Sequence, residues 1–298
     1  MITTFSRRTQ LLLGAAVLCT LAFTIITRAA AEPPPTILVI ISSKSTLKLQ
    51  DGKTYPTGYY LNELTVPVRK LIDREYEVVF ANPAGNAVAM DKRSDSADHF
   101  GNDRGVYESY RKFHDGLTGL KRPEKLSALI EKGLDRYAAV FFPGGHAPMV
   151  DLIQDADVAI VLNHFHRAGK PTAFICHGPI ALVSTVKDPK AFVLALEKGL
   201  MQEASQLASG WPYAGYKMTI FSTAEEQVAE ATGLGGKVRF YPDAALIAAG
   251  GKVELAKPWS PHVVKDRELI TGQNPGSVGL FSEALVNAVE ANRSKYNR

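Results

Sequence analysis

The apolar residues of this chain fall into short unbroken runs separated by stretches of helical spacing. Thr36-Ile-Leu-Val-Ile-Ile41, Glu77-Val-Val-Phe-Ala81, Ala138-Ala-Val-Phe-Phe142 and Thr172-Ala-Phe-Ile175 lack the alternation of a half-exposed strand. They predict parallel strands covered on both faces. Between them, 58–72, 126–134 and 157–168 place apolar residues three and four apart, the pattern of helices with one buried face. Pro67 is expected to break or kink the first of these, leaving Glu63 in its first turn, near the end of the first strand. Further along, 188–209 reads as helical or irregular and Lys217-Met-Thr-Ile-Phe221 as a strand. Residues 223–231 read as a helix whose Thr223 and Glu226 fit a capping box. A short helix over 243–249, a hairpin turning on Asp266-Arg267 and an amphipathic helix over 277–292 complete the chain. Strands alternating with helices give an α/β fold, a mostly parallel sheet between two helical layers. Two polar stretches stand out. Residues 42–57 read as a loop, and 82–121 as a long insert, a lid or dimer element rather than a bare connection.

Residues 1–36 follow a different pattern. Arg7 and Arg8 precede an apolar stretch from Leu11 to Ile26, followed by Thr27-Arg28-Ala29-Ala30-Ala31 and Glu32-Pro33-Pro34-Pro35. A basic start, an apolar middle and a small-residue exit predict a signal peptide over 1–31, cleaved near Ala31, with 32–36 as linker and one domain over 37–292. Ser6-Arg7-Arg8 before Leu11-Leu12-Leu13 also fits a twin-arginine signal. The alternative is an uncleaved membrane anchor, but the apolar stretch falls short of the about 20 residues of a membrane span. A periplasmic or secreted protein is therefore expected. With 46% hydrophobic and 21% charged residues the chain is an ordinary globular protein, and its net charge of +4 is spread with no dense basic run, so no nucleic-acid partner is expected. Of its two cysteines, Cys19 lies in the signal. Cys176 would then be the one thiol of an exported protein in an oxidising compartment, which suggests deep burial or a use for the thiol.

Cys176 ends an apolar run and is followed by His177-Gly178-Pro179 and the helix-compatible Ile180–Val186. Strand, sharp turn and helix with a nucleophile at the turn is one reading; a small core residue is the other. A helix N-terminus would lower the thiol pKa. In parallel sheets, sites form where strands end, which brings together Glu63, Pro143-Gly144-Gly145-His146 and Cys176-His177. Backbone N–H groups of Gly144, Gly145 and His177 could hold an oxyanion. Glu63 could share a proton with the sulfur or move one on the substrate, and His177 could act as base. His146 would cover the pocket or bond a loop. His99 and His114 with nearby acids lack the ligand spacing of a zinc site, so neither metal nor cofactor is expected.

Taken together, Ala173-Phe-Ile-Cys-His-Gly-Pro179, Phe142-Pro-Gly-Gly-His146, Gly58 to Pro67 with Glu63, and Leu269-Ile-Thr-Gly-Gln-Asn-Pro275 resemble the DJ-1/PfpI superfamily, in particular its Hsp31-like branch. The resemblance spans nearly all of 36–289. It implies a flavodoxin-like sandwich, a homodimer, and Cys176 as reactive nucleophile beside Glu63 and His177. It also implies one of three roles: glutathione-independent glyoxalase converting methylglyoxal to lactate, protein deglycase, or holding chaperone. Members often carry an acid, shortly before the strand after the elbow, that orients the histidine. The matching 210–216 contains none, and Glu203 lies on the wrong side of Trp211-Pro212. A complete Cys-His-acid triad is therefore not expected, which disfavours amidase or protease activity. The expectation is an exported enzyme acting on a small dicarbonyl through a Cys176 hemithioacetal, with Glu63 as proton shuttle. The alternatives are a holdase for unfolded proteins or redox sensor in which Cys176 is oxidised, and a hydrolase of adducts on amines.

Overall fold

The run that follows the proline-rich segment forms β1 (Thr36–Ile40), and all five of its residues are buried. The computed structural model describes Met1 and residues 35–296, so the expected signal peptide lies outside the described residues. After β1 come a small hairpin of β2 (Thr46–Lys48) and β3 (Thr54–Pro56), then α1 (Leu61–Ile72) and β4 (Glu77–Asn82). Next are α2 (Arg104–Gly116), β5 (Glu124–Lys125), α3 (Leu126–Glu131), β6 (Tyr137–Phe142), α4 (Ala156–Ala168) and β7 (Thr172–Ile175). The second half holds α5 (Pro189–Glu197), α6 (Met201–Leu207), β8 (Lys217–Met218), α7 (Thr223–Ala229), α8 (Pro242–Ala248), β9 (Lys252–Val253), β10 (Val263–Asp266), β11 (Leu269–Gly272) and α9 (Val278–Tyr296).

Seven strands form one sheet in the order β10-β11-β7-β6-β1-β4-β5. All neighbours are parallel except the β10–β11 hairpin. Adjacent residues of β1 face opposite layers. Leu38 and Ile40 pack with Val140, Phe142 and Phe174 under α4. Ile37 and Val39 pack with Phe141 and Ile175 under α1 and α9, through Leu64, Val68, Phe281 and Leu285. Burying each such side chain stabilises the fold by about 1.5–3 kcal/mol, so unbroken apolar runs are what a two-sided sheet requires. From β1 the chain steps to β4 on one side, and β6 pairs on the other. The direction of winding reverses there, which opens a crevice at the C-terminal strand ends. The predicted α/β, flavodoxin-like architecture is the one observed. Among the described residues no helix is long and apolar enough to cross a membrane.

Several local readings are corrected. The α1 helix runs through Pro67 rather than breaking, because Leu64, Val68 and Leu71 bury its inner face. Residues 42–57 contain the β2–β3 hairpin, whose strands are too short to show a period. The Lys217–Phe221 strand is only Lys217–Met218. The insert over 82–121, expected to be more than a bare connection, carries α2, capped by the Asp103 side chain on the Val106 N–H.

Candidate active site

Cys176 follows the last residue of β7 with φ of 59°, in the left-handed region that side chains avoid. Two backbone hydrogen bonds hold it there. Its N–H donates to the Gly272 carbonyl of β11 at 2.8 Å, and its carbonyl accepts from the Phe221 N–H at 3.0 Å. Strain fixed by its surroundings in this way is characteristic of functional turns. The segment after it is a 3₁₀ run over Gly178–Thr185 rather than the expected α-helix. The sulfur is also almost fully enclosed, at 2% exposure. Burial, and then the Glu63 carboxylate beside it, push the Cys176 thiol well above its ordinary value. The expected lowering by a helix N-terminus is thus overturned, and the thiol needs a partner to take its proton.

Glu63 lies in the first turn of α1 and is fully buried. The turn's dipole favours a carboxylate, but burial wins and raises Glu63 to about 8, offset only in part by the Cys176 thiol and the Gly144 N–H. Among the described residues neither carboxyl oxygen has a well-formed hydrogen-bond partner. Only glycine fits at 144: a Cβ there would lie 2.5 Å from both the Cys176 Cβ and Glu63 Oε2. The Gly145 N–H faces the Cys176 sulfur and favours its thiolate.

His177 Nδ1 is 3.1 Å from Cys176 Sγ, and its Nε2 is 2.7 Å from Glu226 Oε2. His146 Nε2 meets the other oxygen, Glu226 Oε1, at 2.6 Å. The two imidazoles lie 4.0 Å apart, centre to centre. Burial alone would raise Glu226, yet the charges and hydrogen bonds of both histidines hold it well below the carboxylate range. Burial, and then the neighbouring His146, lower His177, whereas Glu226 outweighs burial at His146 and raises it. His177 is therefore the neutral ring. With its Nε2–H donated to Glu226, its Nδ1 lone pair is left to accept the thiol proton.

Glu226 supplies the acid that 210–216 lacks, so the expectation of an incomplete triad is corrected. Glu203 is exposed on α6 and has no part in it. The missed signal lay in the capping pattern. Ser222, not Thr223, caps α7 and pairs with Glu225, while Thr223 is bound to Asp243. That leaves the adjacent Glu226 free to face the histidines.

Among the described residues, His146, His177 and Glu226 are the one group of side chains close enough to share a metal ion. Hydrogen bonds already engage both carboxylate oxygens and the two Nε2 atoms. His99 and His114 do not converge. His99 bonds the Arg93 carbonyl, and His114 the Tyr59 hydroxyl. Cys176, His177, His146 and Gly145 open into a cavity of about 360 Å³. Its outer wall includes Tyr60, Phe221 and Trp259, with Asp91, Arg93 and His99 contributed by the insert.

The chain resembles known proteins over most of its length. Residues 55–229 match the family described as ThiJ/PfpI family-like. A Staphylococcus aureus protein named protein/nucleic acid deglycase HchA is 28% identical over 244 residues, covering 80% of this chain and 74% of that protein. The crystal structure of glyoxalase III from Candida albicans superposes with a TM-score of 0.58 at 20% identity, over 85% of this chain and 96% of that one. The X-ray structure of the Francisella tularensis rapid encystment protein of 24 kDa gives a TM-score of 0.62 at 22% identity, over 85% and 98%. The elbow cysteine, its histidine, the glutamate behind the sulfur and these matches agree: the chain belongs to the ThiJ/PfpI family.

Proposed function

We propose that this protein is an enzyme of the glyoxalase or deglycase type that converts methylglyoxal to lactate without glutathione. The observation that carries this reading is the placement of Cys176 between two distinct proton carriers, His177 on one side and Glu63 on the other. His177 Nδ1 takes the thiol proton as the sulfur adds to the aldehyde carbon, and the Gly145 and His177 N–H groups receive the developing oxyanion. Protonation of that oxygen gives a hemithioacetal. Glu63, ionised, removes the hydrogen from the former aldehyde carbon to give an enediol and returns it to the adjacent carbon. A lactoyl thioester results, and water attacking it releases lactate and restores the thiol. A carboxyl near pH 8 is matched to accept and return a proton near neutrality. Among the described residues His146 Nδ1 has no hydrogen-bond partner.

Hydrolysis of adducts on amines is the second reading, favoured by the Glu226–His177 pair, which supplies the oriented base that such chemistry needs. The names of the deglycase relatives support it as well. We place the mature protein in the periplasm or outside the cell, as a homodimer, on the pattern of residues 1–36 and the family resemblance.

Purified mature protein, free of thiols, is the material for the test. Lactate formation from methylglyoxal that is lost in both Cys176→Ala and Glu63→Gln supports the glyoxalase reading. Wild-type rates in either variant refute it.

A further inference from the structure

We propose that Trp259 is the stacking wall of a substrate subsite beside Cys176, and that the site prefers dicarbonyls bearing a planar aromatic group over methylglyoxal. This rests on the dicarbonyl reading above and narrows its substrate class. A cavity of about 360 Å³ lies within the range of about 300–1,000 Å³ typical of sites for drug-sized ligands, and methylglyoxal would leave most of it unfilled. Aromatic rings run outward from the catalytic histidine. The Phe221 ring lies 4.6 Å from His177, and Trp259 lies edge-on to Phe221 at 5.6 Å. The Tyr60 and His99 rings, 5.1 Å apart, line the same cavity. Trp259 is 48% exposed, so much of its indole surface is free to meet a ligand.

The backbone at Trp259 argues that the indole is there for a purpose. Its φ of 66° is a left-handed conformation that glycine or asparagine adopts at less cost. The turn alone does not call for a tryptophan. The conformation is held by a hydrogen bond from the Trp259 N–H to Glu225 Oε1 at 2.8 Å. Glu225 is itself fully buried and accepts further bonds from Ser222, Gln273 and Asn274. A strained aromatic anchored to the segment that carries Glu226 is positioned relative to the catalytic groups. A planar group on the substrate can stack on it while the dicarbonyl reaches the sulfur.

Initial rates with phenylglyoxal and methylglyoxal in wild type, Trp259→Ala and Trp259→Phe test the subsite. The ratio of kcat/KM for phenylglyoxal to that for methylglyoxal is expected to exceed one in wild type. In Trp259→Ala it should fall about five- to tenfold, the size expected for one lost stacking contact, mainly through KM. Trp259→Phe should recover most of the loss. An unchanged ratio in Trp259→Ala, with methylglyoxal still turned over by wild type, overturns the subsite alone. Failure of the wild type to turn over either compound overturns the dicarbonyl reading and the subsite with it.

Discussion

At the scale of single residues, the site works by opposing protonation preferences within a few ångströms. Glu226 stays charged because two imidazoles donate to it, and Glu63 stays protonated at neutral pH because the Cys176 thiol and the Gly144 N–H offset its burial only in part. Raising the pH through about 8 ionises Glu63 and supplies the base that the hydrogen transfer requires. The rate on methylglyoxal, as kcat/KM, should therefore rise with an apparent pKa near 8. A pH profile whose ascending limb lies in the ordinary carboxylate range would contradict this assignment. Glu226→Gln removes the charge that orients His177, and kcat should fall by about 10²–10⁴-fold, the usual weight of a positioned general base. Glu203→Gln, on an exposed face of α6, should leave kcat unaltered. Equal behaviour of the two variants would remove Glu226 from the relay. Cys176, His177, Gly144 and Gly145 were legible in the sequence because they follow directly from strand ends, and Glu63 because it falls in the first turn of the helix over 61–72. Glu226 was not, since its partners are 49 and 80 residues away.

At the scale of elements, α7 shows why. Ser222-x-x-Glu225 and Thr223-x-x-Glu226 both satisfy the capping-box pattern, and local sequence cannot choose between them. Tertiary structure decides, because Asp243 in the first turn of α8 takes Thr223. The one-residue shift assigns Glu225 to structure and Glu226 to chemistry. Glu225 joins α7 to the Gln273-Asn274 turn and to the Trp259 backbone, and the same turn follows Gly272, whose carbonyl holds Cys176. Glu225→Ala would leave several buried donors unsatisfied at about 1–3 kcal/mol each before relaxation. Thermal unfolding should show a loss of about 3 kcal/mol, a fall in Tm of about 6–12 °C for a chain of this size. An unchanged Tm would mean that Glu225 does not tie these segments together. The elbow misled in a related way. Strand and turn were readable, but the 3₁₀ run after Cys176 and the enclosure of the sulfur depend on packing across the sheet, so the direction of the thiol shift was not.

At the scale of the whole molecule, the sheet's reversal of winding beside β1 gathers the ends of β1, β6 and β7, and the insert closes one side of the resulting cavity. The central strands β1, β4, β6 and β7 were readable because two-sided burial demands unbroken apolar runs. The helix within the insert was not, because α2 is polar on balance and buries none of its residues. Building a buried acid into the centre of this fold has a global consequence. The folded-state pKa of Glu63 is raised from 4.5 to about 8, so the native state binds the proton more tightly than the unfolded chain. Its contribution favours folding below about 4.5 and is lost as pH rises toward 8. Glu63→Gln keeps the shape without the ionisation and should raise Tm relative to wild type at pH 8.5 by several degrees, with little difference at pH 4.5. An identical difference at both pH values would show that Glu63 is not held neutral by the fold.

In the proposed reaction Cys176 carries the substrate covalently. Rapid-quench mass spectrometry of the protein mixed with methylglyoxal measures this directly. An adduct of one methylglyoxal on Cys176 is expected to form before lactate appears and to decay as lactate is released. Lactate produced with Cys176 unmodified throughout, or adducts confined to lysine and arginine, would contradict it.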